Sequence, residues 1–198
     1  MPPAVAYNRP MNHSREAHAG ILLALENASR AASRPHAMQQ PAVRLLAVSK
    51  TRTAGEIADL VAAGQRAFGE NYVQEALPKI DALRERGLEW HLIGHLQSNK
   101  ADAAARAFDW VQSVDRPKLV AALARHRPSG LPPLNVLLQV NIDDETSKHG
   151  CPPAEVDTLA AAVAAEPRLR LRGLMAIPAP HEDMARRRDA FRAMRALF

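Results

Sequence analysis

Cysteine occurs once in this 198-residue chain, at Cys151, and aromatic residues make up only 4% of it. A single thiol cannot close an internal disulfide, and no Cys/His cluster with zinc-ligand spacing accompanies it. A reducing, cytoplasmic location is therefore expected. Few aromatics mean few platforms on which single-stranded bases could stack. No apolar run approaches the roughly 20 residues that cross a bilayer. The first ten residues lack the charged start and apolar centre of a secretory signal. No Gly-x-Gly-x-x-Gly turn or Walker loop follows any predicted strand, which weakens a nucleotide-binding sheet.

What is present is an ordinary globular balance: 47% hydrophobic, 24% charged and a net charge of +5. That length carries one sizeable domain. The basic residues are spread along the chain and interleaved with acids. Even the densest cluster, Arg186-Arg187-Arg188, lies beside Glu182, Asp183 and Asp189. A dispersed excess of this kind argues against nucleic acid as a partner.

The most informative stretch is Leu45-Leu46-Ala47-Val48-Ser49-Lys50. Its apolar run predicts a strand buried on both faces, with Lys50 at the C-terminal end. In α/β folds that is the end where ligands bind. A lysine amine beside an apolar wall can attack a carbonyl and form a Schiff base. The plainer alternative is a lysine in solvent at a strand end.

Around this strand the chain alternates. Residues 1–11 read as a flexible leader, and 12–198 as one domain. A helix is predicted over 12–34, with Ala17, Ile21, Leu25 and Ala28 on one face. Residues 35–41 form a linker. Thr53 and Glu56 make a capping box for a helix with Ile57, Leu60 and Val61 on its buried stripe. Further strands are predicted at 66–69, 89–94, 108–113, 134–141 and 169–177. Asn71 is expected to cap the helix after the second, Asp115 the helix after the fourth, and Pro152 and Pro153 to open the one after the fifth. Pro78 should kink or restart its helix. The last helix, 182–198, carries Met184, Phe191, Met194 and Phe198. Six strand–helix units imply parallel strands with right-handed crossovers. Two architectures fit, a (β/α) barrel and an open doubly wound sheet, and the pattern favours the barrel. The helix pattern runs to Phe198 without a stop signal, and eight strands would need two more. The expectation is a barrel truncated at its C-terminus.

Several segments, in order, carry a resemblance. They are Leu46-Ala47-Val48-Ser49-Lys50-Thr51, Phe68-Gly69-Glu70-Asn71-Tyr72-Val73-Gln74-Glu75 and the run from Trp90 to Lys100. Ser147-Lys148-His149-Gly150 and Arg172-Gly173-Leu174-Met175-Ala176-Ile177-Pro178 follow. Together they resemble the pyridoxal-phosphate homeostasis proteins, also called the proline synthase co-transcribed homologue. The resemblance implies a fold-type III (β/α) TIM-type barrel like the N-terminal domain of alanine racemase. It implies pyridoxal 5′-phosphate (PLP) held as a Schiff base on Lys50, and a role in vitamin B6 homeostasis without established catalysis. PLP-dependent apoenzymes are candidate partners, and a monomer is expected. In that family the phosphate is gripped by a serine- and methionine-rich loop after the seventh strand and an Arg-Ile-Gly turn after the eighth. Neither occurs in this sequence.

Within that frame Asn71 resembles a residue near the ring oxygen, or is a helix cap. Met175 and Ile177 could pack beneath the ring, or belong to the core. Cofactor-binding residues are thus expected at Lys50, Asn71 and Met175. His91 reads as a hydrogen-bonded core histidine. His95 and Asn99 could line the mouth. Lys148 and His149 could gather anions or form a solvated loop. The alternatives are a racemase-like PLP enzyme, a cofactor-free aldolase-type lysine and a basic interaction module. The racemase would need a second base, for which Tyr72 is the nearby tyrosine.

Overall fold

The computed structural model describes residues 16, 18–24, 44–143, 145, 148–180 and 182–198. The predicted leader and the 35–41 linker lie outside them, as do Ala17, Leu25 and Ala28. Helix α1 is described over residues 18–24. It is followed by β1 (Ala47–Val48), α2 (Ala54–Ala62), β2 (Ala67–Glu70) and α3 (Val73–Ala82). Next come β3 (Glu89–Leu92), α4 (Ala101–Ala107), β4 (Trp110–Val114) and α5 (Pro117–His126). The order closes with β5 (Leu134–Gln139), α6 (Val156–Ala164), β6 (Leu169–Met175) and α7 (Met184–Leu197).

All strand pairs are parallel, and the sheet order is β1-β2-β3-β4-β5-β6. A doubly wound sheet would reverse direction at a switch point. Here each strand lies beside its sequence neighbour, so the sheet winds as the wall of a (β/α) barrel. Six strands make part of that wall, with β1 and β6 as its edges.

Alternation along each strand separates two faces. Leu134, Val136 and Leu138 of β5 and Val111 of β4 are fully buried, in one cluster with Ala104, Leu119, Leu123 and Val163 of the helices. The core therefore lies between sheet and helix layer. Val48 of β1 lines a cavity on the other face and is 51% exposed. The expectation of a first strand buried on both faces is thus corrected. Its second face meets an open interior, and only Ala47 and Val48 are laddered.

Local chemistry explains the elements. Thr53 and Glu56 form the full capping box of α2. Asn71 does not cap α3: Tyr72 is the N-cap and makes no side-chain cap bond. Asp115 likewise does not cap α5: Arg116 is the N-cap, and the Arg116 guanidinium donates to Asp115 Oδ1. Pro78 sits inside α3, which continues through it without a restart. A 3₁₀ turn, Pro153–Glu155, leads into α6. Ile21 of α1 is 47% exposed, whereas His18 is buried and meets the Gln65 side chain at 3.1 Å. Ile21, the one described residue of the predicted stripe, is thus not on a buried face, and His18 supplies a polar contact from α1 to Gln65. On α7, Met184 and Phe191 are exposed and Met194 packs on the core. At the opposite end of the sheet from the strand C-termini, buried Arg127 donates to the Ala105, Phe108 and Pro132 carbonyls at 2.7–2.8 Å.

Candidate functional site

The C-terminal ends of the strands surround a cavity of about 570 Å³. Such a volume suits a small-molecule ligand. Leu46, Val48 and Ile93 supply apolar wall, and Asn71, Gln112, Gln139 and Asn141 supply amides.

Lys50 lines this cavity. Its ammonium has no hydrogen-bond or ion-pair partner among the described residues, so the amine is not tied down. The backbone beneath it is. Ser49 N–H donates to the Gly69 carbonyl at 2.9 Å, and the Ser49 carbonyl accepts from Arg52 N–H at 3.0 Å. That bond closes a tight turn with Lys50 and Thr51 at its centre. Thr51 has φ 64°, a left-handed conformation that a β-branched residue adopts only under constraint.

A polar network that the sequence does not reveal holds Ser49, the first residue of this turn. The Glu70 carboxylate, fully buried at the end of β2, accepts from Ser49 Oγ at 2.6 Å and from Lys79 Nζ at 2.8 and 3.0 Å. Lys79 Nζ also donates to the Ser49 carbonyl at 3.0 Å. One buried ion pair thus holds the residue before Lys50 by side chain and backbone. The signal available was a glutamate ending an apolar strand nine residues before a helical lysine, a spacing shared by many surface pairs.

Asn71, directly after β2, and Met175, the last residue of β6, both line the cavity. Freed from capping, the Asn71 side chain has no helix N–H to serve. Its backbone is pressed against the loop after β3: a Cβ on Gly94 would lie 2.2 Å from the Asn71 carbonyl oxygen. Only glycine permits that approach. Ile177 lines the cavity and is 61% exposed, so it and Met175 are wall, not closed core. Asn99 is exposed and is not part of the wall.

The histidines divide. His91 is buried, meets Glu89 at 2.8 Å and Gln112 at 2.9 Å, and stacks on Trp110 with ring centroids 5.1 Å apart. Burial lowers its pKa, and the Glu89 carboxylate opposes that shift only in part. His95 and His149 are exposed and both line the cavity mouth. Desolvation and the neighbouring His149 lower the His95 pKa. Lys148 also reaches the wall, where it pairs with Glu145 at 3.1 Å and donates to the Ile177 carbonyl at 3.3 Å.

The match to known proteins follows this geometry. Residues 25–198 match the family described as "Alanine racemase, N-terminal domain". The pyridoxal phosphate homeostasis protein of Escherichia coli K12 is 55% identical over 159 residues, 79% of this chain and 68% of that protein. The protein of the same name from Pseudomonas aeruginosa is 50% identical over 178 residues, covering 87% and 77%. Among solved structures, PipY of Synechococcus elongatus PCC7942 with PLP bound superposes with TM-score 0.71 at 34% identity. That match covers 88% of this chain and 78% of PipY. With its barrel-wound parallel sheet and these relatives, the chain belongs to the pyridoxal phosphate homeostasis protein family, within the alanine racemase N-terminal-domain fold.

Proposed function

We propose that this chain is a PLP-binding protein of intracellular vitamin B6 homeostasis, and that Lys50 is the residue that captures the cofactor. The observation that carries the reading is an untethered lysine, on a rigidly held turn, opening into a cavity of cofactor size. PLP supplies an aldehyde, an aromatic ring and a phosphate dianion when bound. Lys50 offers the amine that joins the aldehyde as a Schiff base. Leu46, Val48 and Met175 offer apolar surface for a ring, and the Asn71 amide a hydrogen bond to its edge. Lys148 and His149 supply positive charge or N–H donors at the mouth for an anion. The domain is proposed to span 12–198, after a leader.

A carrier role is supported by the name of the relatives, pyridoxal phosphate homeostasis protein. Tyr72 is 60% exposed and does not line the cavity. No described tyrosine therefore faces the cavity to serve as a second base. A cytoplasmic setting is supported by the lone thiol of Cys151, which is buried.

The test is an absorbance spectrum of the purified chain with added PLP, before and after borohydride, with mass spectrometry of the peptide holding Lys50. The expected result is a visible imine band, bleached by borohydride, with a pyridoxyl group fixed on Lys50. Lys50→Ala should abolish that label while leaving the circular dichroism spectrum intact, because Lys50 is exposed and its side chain has no hydrogen-bond partner among the described residues. A label spread equally over other lysines in the parent would refute the assignment. Racemisation of alanine or serine well above buffer would refute the carrier role.

A further inference from the structure

We propose that His95, His149 and Asp115 form a binding site for a divalent transition-metal cation, of the Zn²⁺ class, at the cavity mouth. They follow three adjacent strands: His95 comes after β3, Asp115 after β4 and His149 after β5. One ligand atom from each lies within 4.8 Å of the others. Two imidazoles and one carboxylate make a donor set that suits zinc and its first-row neighbours, and leave coordination positions open.

The backbone under both rings is fixed. His95 follows Gly94, where an added Cβ would collide with Asn71. His149 precedes Gly150, where φ is +128° and a Cβ would lie 2.6 Å from the Asn141 nitrogen. The His149 carbonyl also accepts from Gln139 Nε2 at 3.0 Å. Asp115 is oriented from behind, as metal-site carboxylates commonly are. Its Oδ1 is held by Arg116, whose other nitrogen donates to the Leu96 carbonyl at 2.9 Å. That leaves Oδ2 turned to His95 Nδ1, 3.9 Å away.

The two rings stack with centroids 3.6 Å apart and planes 14° from parallel. An ion bound at about 2.0–2.1 Å needs donor atoms about 3 Å apart, with in-plane lone pairs that converge. One ring must therefore turn about its Cβ–Cγ bond. Both histidines are exposed, whereas the Asp115 side chain, 9% exposed, is the fixed point. Two other described histidines lie near carboxylates, but each pairs with only one. His126 is 3.5 Å from Asp102, and His91 meets Glu89.

Of the three ligands only His149 is also proposed as a contact for the PLP anion, and zinc capture uses none of Lys50, Asn71 and Met175, so the untagged, cofactor-free chain is the test material. Zn²⁺ is titrated calorimetrically into the parent, His95→Ala, His149→Phe and His126→Ala. His149→Phe keeps a ring to stack on His95 and removes the ligand atoms, which separates metal binding from stacking. The expected result is one zinc per chain in the parent and in His126→Ala. His95→Ala and His149→Phe should bind at least about tenfold more weakly with unchanged melting temperatures. Zinc should also raise the melting temperature of the parent but not of His149→Phe. Absence of binding up to about 1 mM Zn²⁺, or parent-like binding in a His95→Ala/His149→Phe double variant, would overturn the site.

Discussion

Replacing Lys79 with methionine tests the network beneath Lys50. The Glu70 side chain is 0% exposed and that of Lys79 12%. Methionine keeps most of the lysine stem but leaves the buried carboxylate with Ser49 Oγ alone. Removing one partner of a buried ion pair costs about 3–5 kcal/mol, because the stranded charge keeps its desolvation penalty. At 2–4 °C per kcal/mol for a chain of this size, the melting temperature should fall by roughly 6–20 °C. Glu70→Gln/Lys79→Met should recover more than half of the loss. Glutamine carries no charge and still accepts from Ser49 Oγ. Melting of the parent, both single variants and the double completes the cycle and isolates the pair. The same variants report on the site. Lys79→Met removes a donor from the Ser49 carbonyl, the group that closes the turn bearing Lys50. Borohydride labelling of Lys50 with PLP should accordingly slow in Lys79→Met. A variant melting within about 2 °C of the parent, or a double variant as unstable as the sum of the singles, would refute the reasoning.

Three other outcomes are expected. Gly94→Ala forces a Cβ against the Asn71 backbone and should cost about 1–3 kcal/mol, with PLP capture reduced as Asn71 shifts; thermal melts and the labelling assay check both. The folded His91 has a pKa below its ordinary value through burial, so the unfolded chain binds the extra proton first. Stability should therefore fall as pH drops below about 6.5, and His91→Asn should flatten that slope, as denaturant midpoints between pH 5 and 7.5 would show. Burial pushes the Cys151 thiol pKa up, so a disulfide reagent at neutral pH should leave the native chain unmodified and label it fully once denatured.

The barrel winding was legible because six apolar runs each feed a helix of suitable length, and short parallel crossovers leave few topologies. The position of Lys50 was legible for the same reason, since an apolar run ending in a charged residue places that residue at the C-terminal end of a strand, where the cavity lies. Asn71 shows where the reading stopped. Its position before a helical run fits a cap equally well, and only the backbone geometry gave that place to Tyr72. Met175 and Ile177 carry the same residue types whether they line a cavity or fill a core, and the open inner face of the sheet decides between the two. The network beneath Lys50 joins Ser49, after β1, to Glu70 and Lys79 of the β2–α3 unit, and the His95–Asp115–His149 cluster joins residues that follow three different strands. The chain by itself determined the elements, their order and the lysine at the strand end, because those depend on local period and propensity. Which side chains meet at the ligand end was decided only in the tertiary structure, because parallel strands align residues about 20 positions apart that no local pattern connects.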